Sequence, residues 1–176
     1  MSTDQSMNTQ QGNPLAVVVS GLSSDAHTWN LVYMQLVLEE LGHTVTNLGA
    51  CVAEEELAAR CRTIQPDLIV LSSVNGHGFQ DGLRAITALR ECPELMTTPA
   101  VIGGKLDIVG GDPTMIGQLL DAGFDGVFTE PQALSAFRSF VAFVSDATVE
   151  TGAGAGEPSA ADVRPGPATV TSPVGA

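Results

Sequence analysis

The sequence predicts an α/β fold in which helices cover both faces of a five-stranded parallel sheet. Short apolar runs alternate with longer helical segments along the middle of the chain, which is the pattern of repeated β–α units. The apolar runs are continuous rather than alternating, as in strands that are buried on both faces. The chain has 176 residues, 44% of them hydrophobic, which suffices for one domain with one aliphatic core.

The first β–α unit is defined by a β-branched run and by a glycine. Residues 15–20, LAVVVS, form an uninterrupted apolar run that predicts the first strand. Residues 29–41 predict a helix that ends before Gly42, a residue suited to the left-handed conformation that follows many helices. Residues 43–49, HTVTNLG, then predict the second strand.

The second and third units are bounded by prolines. Residues 53–65 predict an amphipathic helix, because acidic residues occupy its first turn and Pro66 follows its end. Residues 67–73, DLIVLSS, predict a third buried strand. A helix over 81–91 follows, and it ends before Pro93 because proline cannot continue a helix.

The last two units complete the sheet. Residues 99–104, PAVIGG, predict the fourth strand, and residues 112–123 predict a helix with Asp at its N-cap and Pro at its first position. Residues 125–129 and 131–145 predict a short fifth strand and a last helix. Five parallel strands in a chain of this size favour the flavodoxin-like (Rossmann-like) order 2-1-3-4-5, whose ligand crevice lies at the carboxyl ends of strands 1 and 3.

The two ends of the chain differ in composition from the part between them. Residues 1–13 are polar and lack periodicity, and residues 147–176 are rich in Ala, Gly, Pro, Ser and Thr. Such segments cannot bury enough apolar surface to offset the entropy lost on ordering. We therefore expect one folded domain over 14–146, between a disordered N-terminus and a disordered tail.

Composition and charge exclude several classes of partner. Lys and Arg total 7 against 20 Asp and Glu, a formal charge of −13 that repels nucleic acids and anionic membrane surfaces. No apolar span is long enough to cross a membrane, and the N-terminus lacks the basic and apolar regions of a signal peptide. The three cysteines form no CxxC pair, which argues against a disulfide framework or a thiolate zinc site. We expect a cytoplasmic protein without nucleic-acid or membrane partners.

The predicted topology gathers polar residues at one edge of the sheet. The loop after strand 1 carries Asp25 and His27, strand 3 ends in two serines, and strand 4 ends in two glycines. A carboxylate that accepts one ring N–H of a histidine fixes its tautomer and makes the other nitrogen a better ligand or base. One histidine and one carboxylate are too few for a zinc site made by protein alone. A metal that brings its own equatorial ligands in a macrocycle needs only one protein ligand.

Three segments carry a family resemblance. SDAHTWN, LSSVNGHG and VIGGKLDIVGG resemble the ordered cobalamin-binding signature D-x-H-x-x-G, S-x-L and G-G. Over roughly residues 14–145 the chain is similar to the cobalamin-binding small (sigma or S) subunit of glutamate mutase, also called methylaspartate mutase. Two positions depart from the signature, because Asn30 replaces its last glycine and Val74 replaces its leucine.

The resemblance implies a cofactor and a set of residues that bind it. The cofactor would be adenosylcobalamin, with His27 as the axial cobalt ligand in place of dimethylbenzimidazole and with Asp25 holding the other imidazole nitrogen. The displaced nucleotide tail of the cofactor would lie against the serines and glycines at the strand ends. The cofactor-binding residues implied are Ser24, Asp25, Ala26, His27, Thr28, Ser72, Ser73, Val74, Gly76, Gly103, Gly104, Lys105, Leu106, Asp107, Ile108 and Val109.

The resemblance also implies a reaction and a partner. Such a chain would carry the cofactor for a radical carbon-skeleton mutase that interconverts glutamate and threo-3-methylaspartate. A larger TIM-barrel subunit would bind the amino acid and form a heterotetramer with this chain. That barrel needs roughly 250 residues, more than this chain has. We therefore expect no catalytic residue in this chain alone and no activity without the larger subunit.

Two alternative functions fit the same fold. A corrinoid methyl carrier would usually have a helical bundle before the cobalamin domain, whereas only about 14 residues precede the first strand here. A non-enzymatic signalling or binding module is the other alternative. A receiver domain would need an acidic residue after strand 3, where Ser72 and Ser73 stand, and a flavin site would favour more aromatic residues near the crevice.

Overall fold

The computed structural model describes residues 13–107, 113–129 and 133–152, with the side chains of the last helix described as far as 148. It contains one parallel sheet with the strand order β2-β1-β3-β4-β5, which confirms the predicted flavodoxin-like order. The strands are β1 (Ala16–Gly21), β2 (Thr44–Asn47), β3 (Leu68–Ser73), β4 (Ala100–Gly104) and β5 (Gly126–Phe128).

Helices connect the strands in the predicted sequence. They are α1 (Trp29–Glu40), α2 (Glu54–Ile64), α3 (Gly78–Arg90), α4 (Pro113–Asp121) and α5 (Ala133–Gly152), and a short 3-10 turn spans Pro93–Leu95. Helix α1 ends as predicted, because Gly42 adopts a φ of +90° and its N–H donates to Glu39 O at 3.0 Å. Within the described part of the chain, no helix is both long and apolar enough to cross a membrane.

Each face of the sheet buries its own apolar cluster. The cluster under α2, α3 and α4 includes Val18, Leu57, Leu71, Ile86 and Leu119. The cluster under α1 and α5 includes Val17, Val19, Leu31, Phe137 and Val141. Because successive strand residues point to opposite faces, a strand buried on both sides has the continuous apolar run seen in the sequence.

Strand register brings the carboxyl ends of β1, β3 and β4 together. Gly21 of β1 is paired with Ser72 of β3, and Ser73 of β3 is paired with Gly104 of β4. The loops that follow these three strands therefore leave the sheet at the same edge. This edge holds the residues that the sequence singled out.

Two helices differ from their predicted limits. Helix α3 begins at Gly78 rather than at 81. A Cβ at position 78 would lie 2.8 Å from Leu106 Cδ2, so only glycine fits at this close contact. Helix α5 continues to Gly152, through residues 147–152 that we expected to belong to the tail. Near its end, Ser145 Oγ donates to Asn13 O at 2.7 Å and ties the helix to the beginning of the described chain. Residues 1–12 and 153–176, for which we expected disorder, lie outside the described residues.

Candidate functional site

The loop after β1 is organised around one buried carboxylate. Asp25 is 1% exposed, and its Oδ1 lies 2.6 Å from His27 Nδ1 and accepts the His27 backbone N–H at 3.0 Å. Its Oδ2 accepts the backbone N–H of Val74 at 2.6 Å and lies 3.0 Å from Ser73 Oγ. The carboxylate thus joins the first loop to the end of β3, which lies 48 residues farther along the chain.

The protonation state of Asp25 follows from these contacts. Burial alone raises the pKa of a carboxyl group, because it disfavours the charged form. Here the N–H groups of Val74 and His27, the His27 ring and the Ser73 hydroxyl outweigh burial and lower the pKa of Asp25 below 3.8. Asp25 is therefore a carboxylate at neutral pH and a fixed acceptor for the imidazole.

His27 presents the second nitrogen of its ring at the surface. Its side chain is 51% exposed, and Nδ1 is the nitrogen engaged by Asp25, so Nε2 is left for an outside partner. In the described ranges no group of three or more His, Cys, Asp or Glu side chains could hold a metal ion. The exposed nitrogen of His27 could serve as the one protein ligand of a metal that brings its other ligands, which stays a prediction.

A second carboxylate holds the loop from its other side. Asp81, on α3, is 4% exposed, and its Oδ2 accepts both the backbone N–H of Ser24, at 3.2 Å, and the Ser24 hydroxyl. Asn75 Nδ2 donates to the carbonyl oxygen of Ser24 at 2.8 Å. The residue immediately before Asp25 is thus fixed by groups from α3 and from the β3–α3 loop.

An ion-pair network extends this support to α2. Arg84 pairs with Asp81 and with Glu54, whose Oε1 lies 2.9 Å from Arg84 Nε. The hydrogen bond to Glu54 is the main reason that the pKa of Arg84 is raised. Glu54 Oε1 also accepts a hydrogen bond from Ser23 Oγ at 3.0 Å. Residues 23 and 24 are therefore anchored to two helices of the same face.

A cavity of about 270 Å³ opens beside this loop. It lies at the carboxyl ends of the strands, between α1 and α5, and most of its wall is apolar or aromatic. Its aromatic floor is ordered by edge-to-face packing of Phe128 against Phe137, with ring centroids 5.6 Å apart. The lining residues are Trp29, Asn30, Tyr33, Met34, Val70, Leu71, Ser72, Val74, Val101, Ile102, Gly103, Gly104, Lys105, Phe128, Ala133, Leu134 and Phe137.

Two glycines at the end of β4 shape the wall of this cavity. Gly104 has a φ of +103°, and a Cβ there would lie 2.2 Å from Ser73 O. A Cβ on Gly103 would lie 2.9 Å from Phe128 O. Side chains at these positions would force β3, β4 and β5 apart, so the glycines let the backbone itself form the wall.

The predicted binding residues occupy different parts of the site. Ser72, Val74, Gly103, Gly104 and Lys105 line the cavity, and Ser24, Asp25, Ala26, His27 and Thr28 form the loop at its side. Ser73 is completely buried against Asp25 and is not among the residues that line the cavity, and its contact with the tail stays a prediction. Gly76 N–H donates to Lys105 O, and buried Leu106 and half-buried Asp107 follow on the chain. Ile108 and Val109 lie outside the described residues.

The residues that hold Ser24 from α3 and from the β3–α3 loop were not predicted from the sequence. Asp81 was visible only as an acidic residue near the start of a helix, and Asn75 only as a loop residue before a glycine. Their contacts with Ser24 join positions 57 and 51 residues apart. No local pattern in the sequence points to such a contact.

A comparison with known protein families identifies the family of this chain. Residues 15–138 match the family described as the B12 binding domain. The chain belongs to the B12-binding domain family. The match covers the Asp25–His27 loop, the strand ends and the described cavity, and it favours the cobalamin prediction over a flavin-binding or receiver-type module.

One curated relative and two solved structures are similar to this chain. The chain is 34% identical to the glutamate mutase sigma subunit of Halobacterium salinarum over 114 residues, which cover 64% of this chain and 75% of the relative. This similarity confirms the family suspected from the sequence. A cobalamin-binding protein from Desulfitobacterium hafniense DCB-2 superposes with a TM-score of 0.56 at 17% identity, over 81% of this chain and 60% of that one. A LuxR-family response regulator from Aurantimonas sp. SI85-9A1 superposes with a TM-score of 0.58 at 15% identity, over 76% of this chain and 86% of that one. At such low identities the two structures show only that the fold is shared.

Proposed function

We propose that this chain is the cobalamin-carrying subunit of an adenosylcobalamin-dependent mutase that interconverts glutamate and threo-3-methylaspartate. The observation that carries the proposal is the contact between buried Asp25 and the exposed imidazole of His27, at 2.6 Å. When bound, the cofactor would supply the radical chemistry through its cobalt–carbon bond. The residues of this chain bind and orient the cofactor.

His27 is the residue that would hold the cobalt. Asp25 fixes the ring through Nδ1, which leaves Nε2 as the nitrogen that can coordinate a metal. The carboxylate also increases the electron density of the imidazole, which strengthens it as a ligand. The surrounding hydrogen bonds restrict the loop before any cofactor binds, so less freedom is lost on coordination.

The cavity beside the loop suits the nucleotide tail of the cofactor. A planar aromatic base fits walls that are mostly apolar and aromatic, whereas Ser72 and Lys105 supply polar contacts. Lys105 is the only lysine of a chain with a formal charge of −13, and it lines this cavity. Because Lys105 is the one charged residue among the described residues that line the cavity, it is well placed to attract the phosphate of the tail.

We propose that a larger TIM-barrel subunit completes the active site, in a heterotetramer. The similarity to a glutamate mutase sigma subunit supports such a partner. His27 and the cavity would hold the cofactor from this chain, and the larger subunit would bind the amino acid. Glutamate turnover should therefore require both subunits and adenosylcobalamin, and this chain alone should show none.

Electron paramagnetic resonance of bound cob(II)alamin tests the coordination directly. The axial nitrogen splits the cobalt signal, and the splitting pattern of ¹⁴N differs from that of ¹⁵N. In protein labelled with ¹⁵N-histidine, we expect the pattern to change to that of ¹⁵N. A signal that keeps the ¹⁴N pattern would show that dimethylbenzimidazole remains on the cobalt and would contradict the proposal.

Two histidine variants make this measurement specific. His27→Ala should lose the ¹⁵N pattern while its circular dichroism stays that of the wild type, because the side chain is half exposed. His77→Ala is the matched control, since His77 is an exposed imidazole in the loop after β3. If His77→Ala removes the ¹⁵N pattern and His27→Ala does not, the ligand is assigned to the wrong residue.

A further inference from the structure

Asn30 places a carboxamide where the cobalamin-binding signature has glycine. It is the second residue of α1, its side chain is 4% exposed, and it lines the cavity. A polar side chain buried in a mostly apolar wall needs partners for all of its hydrogen-bonding atoms. The contacts of this one amide therefore indicate what the cavity is made to receive.

Only half of the Asn30 amide has a partner in the described part of the chain. Nδ2 donates to Ser72 Oγ at 2.8 Å. Oδ1 is inaccessible to solvent, and among the described residues it is the one buried side-chain polar atom that lacks a hydrogen bond. A buried acceptor without a donor destabilises the free protein, so a ligand that brings a donor gains affinity.

The same contact determines what Ser72 offers to a ligand. Its Oγ already accepts a hydrogen bond from Asn30, so the hydroxyl proton remains to be donated. Asn30 and Ser72 therefore present an acceptor and a donor side by side. Apart from them and Lys105, the side chains that line the cavity are apolar or aromatic, with Tyr33 adding one phenol.

We infer that Asn30 is a specificity-determining residue, whose Oδ1 accepts a hydrogen bond from an O–H or N–H group on the nucleotide tail of the corrinoid. This inference rests on the proposed function, since it requires the tail to enter the cavity. It goes beyond that function because it states which corrinoids bind best: those with a tail that carries a donor. Corrinoids that lack the nucleotide gain nothing from Asn30.

Binding of two corrinoids to Asn30 variants tests the inference. Cobalamin carries the nucleotide tail and cobinamide lacks it, and the fluorescence of Trp29, the only tryptophan and a cavity residue, reports binding of either. Asn30→Leu keeps the size of the side chain and removes its polar atoms. We expect it to weaken cobalamin binding about 5-fold to 150-fold, which converts to about 1–3 kcal/mol, and to leave cobinamide binding unchanged.

Asn30→Asp is the matched variant, because it keeps an acceptor and can accept a hydrogen bond from the Ser72 hydroxyl. It should retain the preference for cobalamin over cobinamide that Asn30→Leu loses. Cobinamide binding also shows that each variant is folded. The inference is overturned if Asn30→Leu binds cobalamin as tightly as the wild type does, or if both corrinoids are weakened by the same factor.

A third corrinoid shows whether the hydrogen-bond donor belongs to the base or to the sugar of the nucleotide tail. In a cobamide that carries an amino-substituted purine in place of dimethylbenzimidazole, the base itself has N–H groups. If Asn30→Leu weakens this cobamide more than cobalamin, the donor belongs to the base. An equal loss for both assigns the donor to the sugar hydroxyls that they share.

Failure of the tail contact and failure of cobalt coordination by His27 give different results. Coordination by His27 would serve cobalamin and cobinamide alike, so His27→Ala should weaken both. Asn30→Leu should change only the ratio of the two affinities. A ¹⁵N pattern with an unaltered ratio would refute the tail contact alone, whereas a persistent ¹⁴N pattern would refute the proposed function, because a base that stays on the cobalt cannot enter the cavity.

Discussion

At the scale of single residues, Asp25 determines more of the site than any other side chain. One carboxylate receives donors from its own loop, from the end of β3 and from the imidazole. Because all of these donors favour the charged form, the site is stable only while Asp25 is ionised. The sequence predicted the carboxylate–imidazole pair from a spacing of two residues, and the structure contains that contact. The contacts with β3 join distant positions and could not be inferred from the spacing.

Replacement of Asp25 by Asn should destabilise the protein in a pH-dependent manner. Asp25 accepts four hydrogen bonds through two oxygens, whereas an Asn amide accepts only through one oxygen. At pH 7 we therefore expect a loss of about 1–3 kcal/mol in the free energy of unfolding. The pKa of Asp25 is lowered in the folded state, so its contribution is complete only at pH values well above the ordinary pKa of the carboxyl group in the unfolded chain. The contribution is lost as the pH falls through the folded pKa, when the unfolded state binds the proton more readily.

Urea titrations of wild type and Asp25→Asn between pH 7 and pH 3 measure this effect. The difference in unfolding free energy should be constant from about pH 7 to about pH 5 and should shrink at lower pH. Other carboxyl groups titrate in both proteins, so they cancel in the difference. A difference that stays the same down to pH 3 would show that Asp25 is not an ionised acceptor in the folded protein.

At the scale of elements, the first loop is held between two carboxylates on separate parts of the fold. Asp25 attaches it to the end of β3, and Asp81 attaches Ser24 to α3. Asn75 adds a bond from the loop between these two elements. A loop held on both sides keeps His27 in place although the histidine side chain itself is half exposed.

We predict that Asp81→Asn loosens the loop more than it loosens the rest of the fold. The variant loses the ion pair with Arg84 and leaves a buried amide against Ser24. Amide hydrogen exchange of residues 24–28 should become at least about tenfold faster, equivalent to about 1.4 kcal/mol of local opening free energy. Exchange in the central strands should change less, because their protection reports global unfolding.

Asp125→Asn provides the matched control for Asp81→Asn. Asp125 Oδ2 accepts the backbone N–H of Ala100 at 2.8 Å and pairs with Arg90 at 3.1 Å, so it has the same kinds of partner. It immediately precedes β5 and contacts Ala100 at the start of β4, at the edge opposite to His27. Asp125→Asn should leave exchange of residues 24–28 unchanged relative to the strands. If both variants accelerate that loop equally, Asp81 has no specific role in positioning it.

The limits of sequence prediction also appear at the level of elements. Strand order follows from apolar periodicity and from the chirality of β–α–β connections, both of which are local, so all five strands were predicted. The start of α3 was not, because Gly78 suggests a turn until its packing against Ser73 and Leu106 is known. The support of Ser24 by Asp81 depends on a contact across 57 positions. Local patterns therefore predicted the order of the strands and the spacing of Asp25 and His27. The start of α3 and the support of Ser24 depend on contacts between residues that are far apart in the sequence.

At the scale of the whole molecule, the apolar core lies within the part of the chain that the structure describes. The clusters on the two faces of the sheet run from Leu15 to Val144. Helix α5 contributes Phe137, Val141 and Val144 to one of them. Residues 153–176 contain no apolar side chain larger than valine. The stability of the domain should therefore depend on α5 and not on the segment that follows it.

Two truncations test this division of the chain. Removal of residues 153–176 should leave the free energy of unfolding within about 0.5 kcal/mol of the wild-type value, because no described core residue is lost. Removal of 141–176 also deletes Val141 and Val144, which are 1% and 5% exposed, and should cost at least about 3 kcal/mol. Urea titration followed by circular dichroism measures both. If the shorter deletion destabilises the protein as much as the longer one, residues 153–176 pack on the domain, and its boundary lies beyond α5.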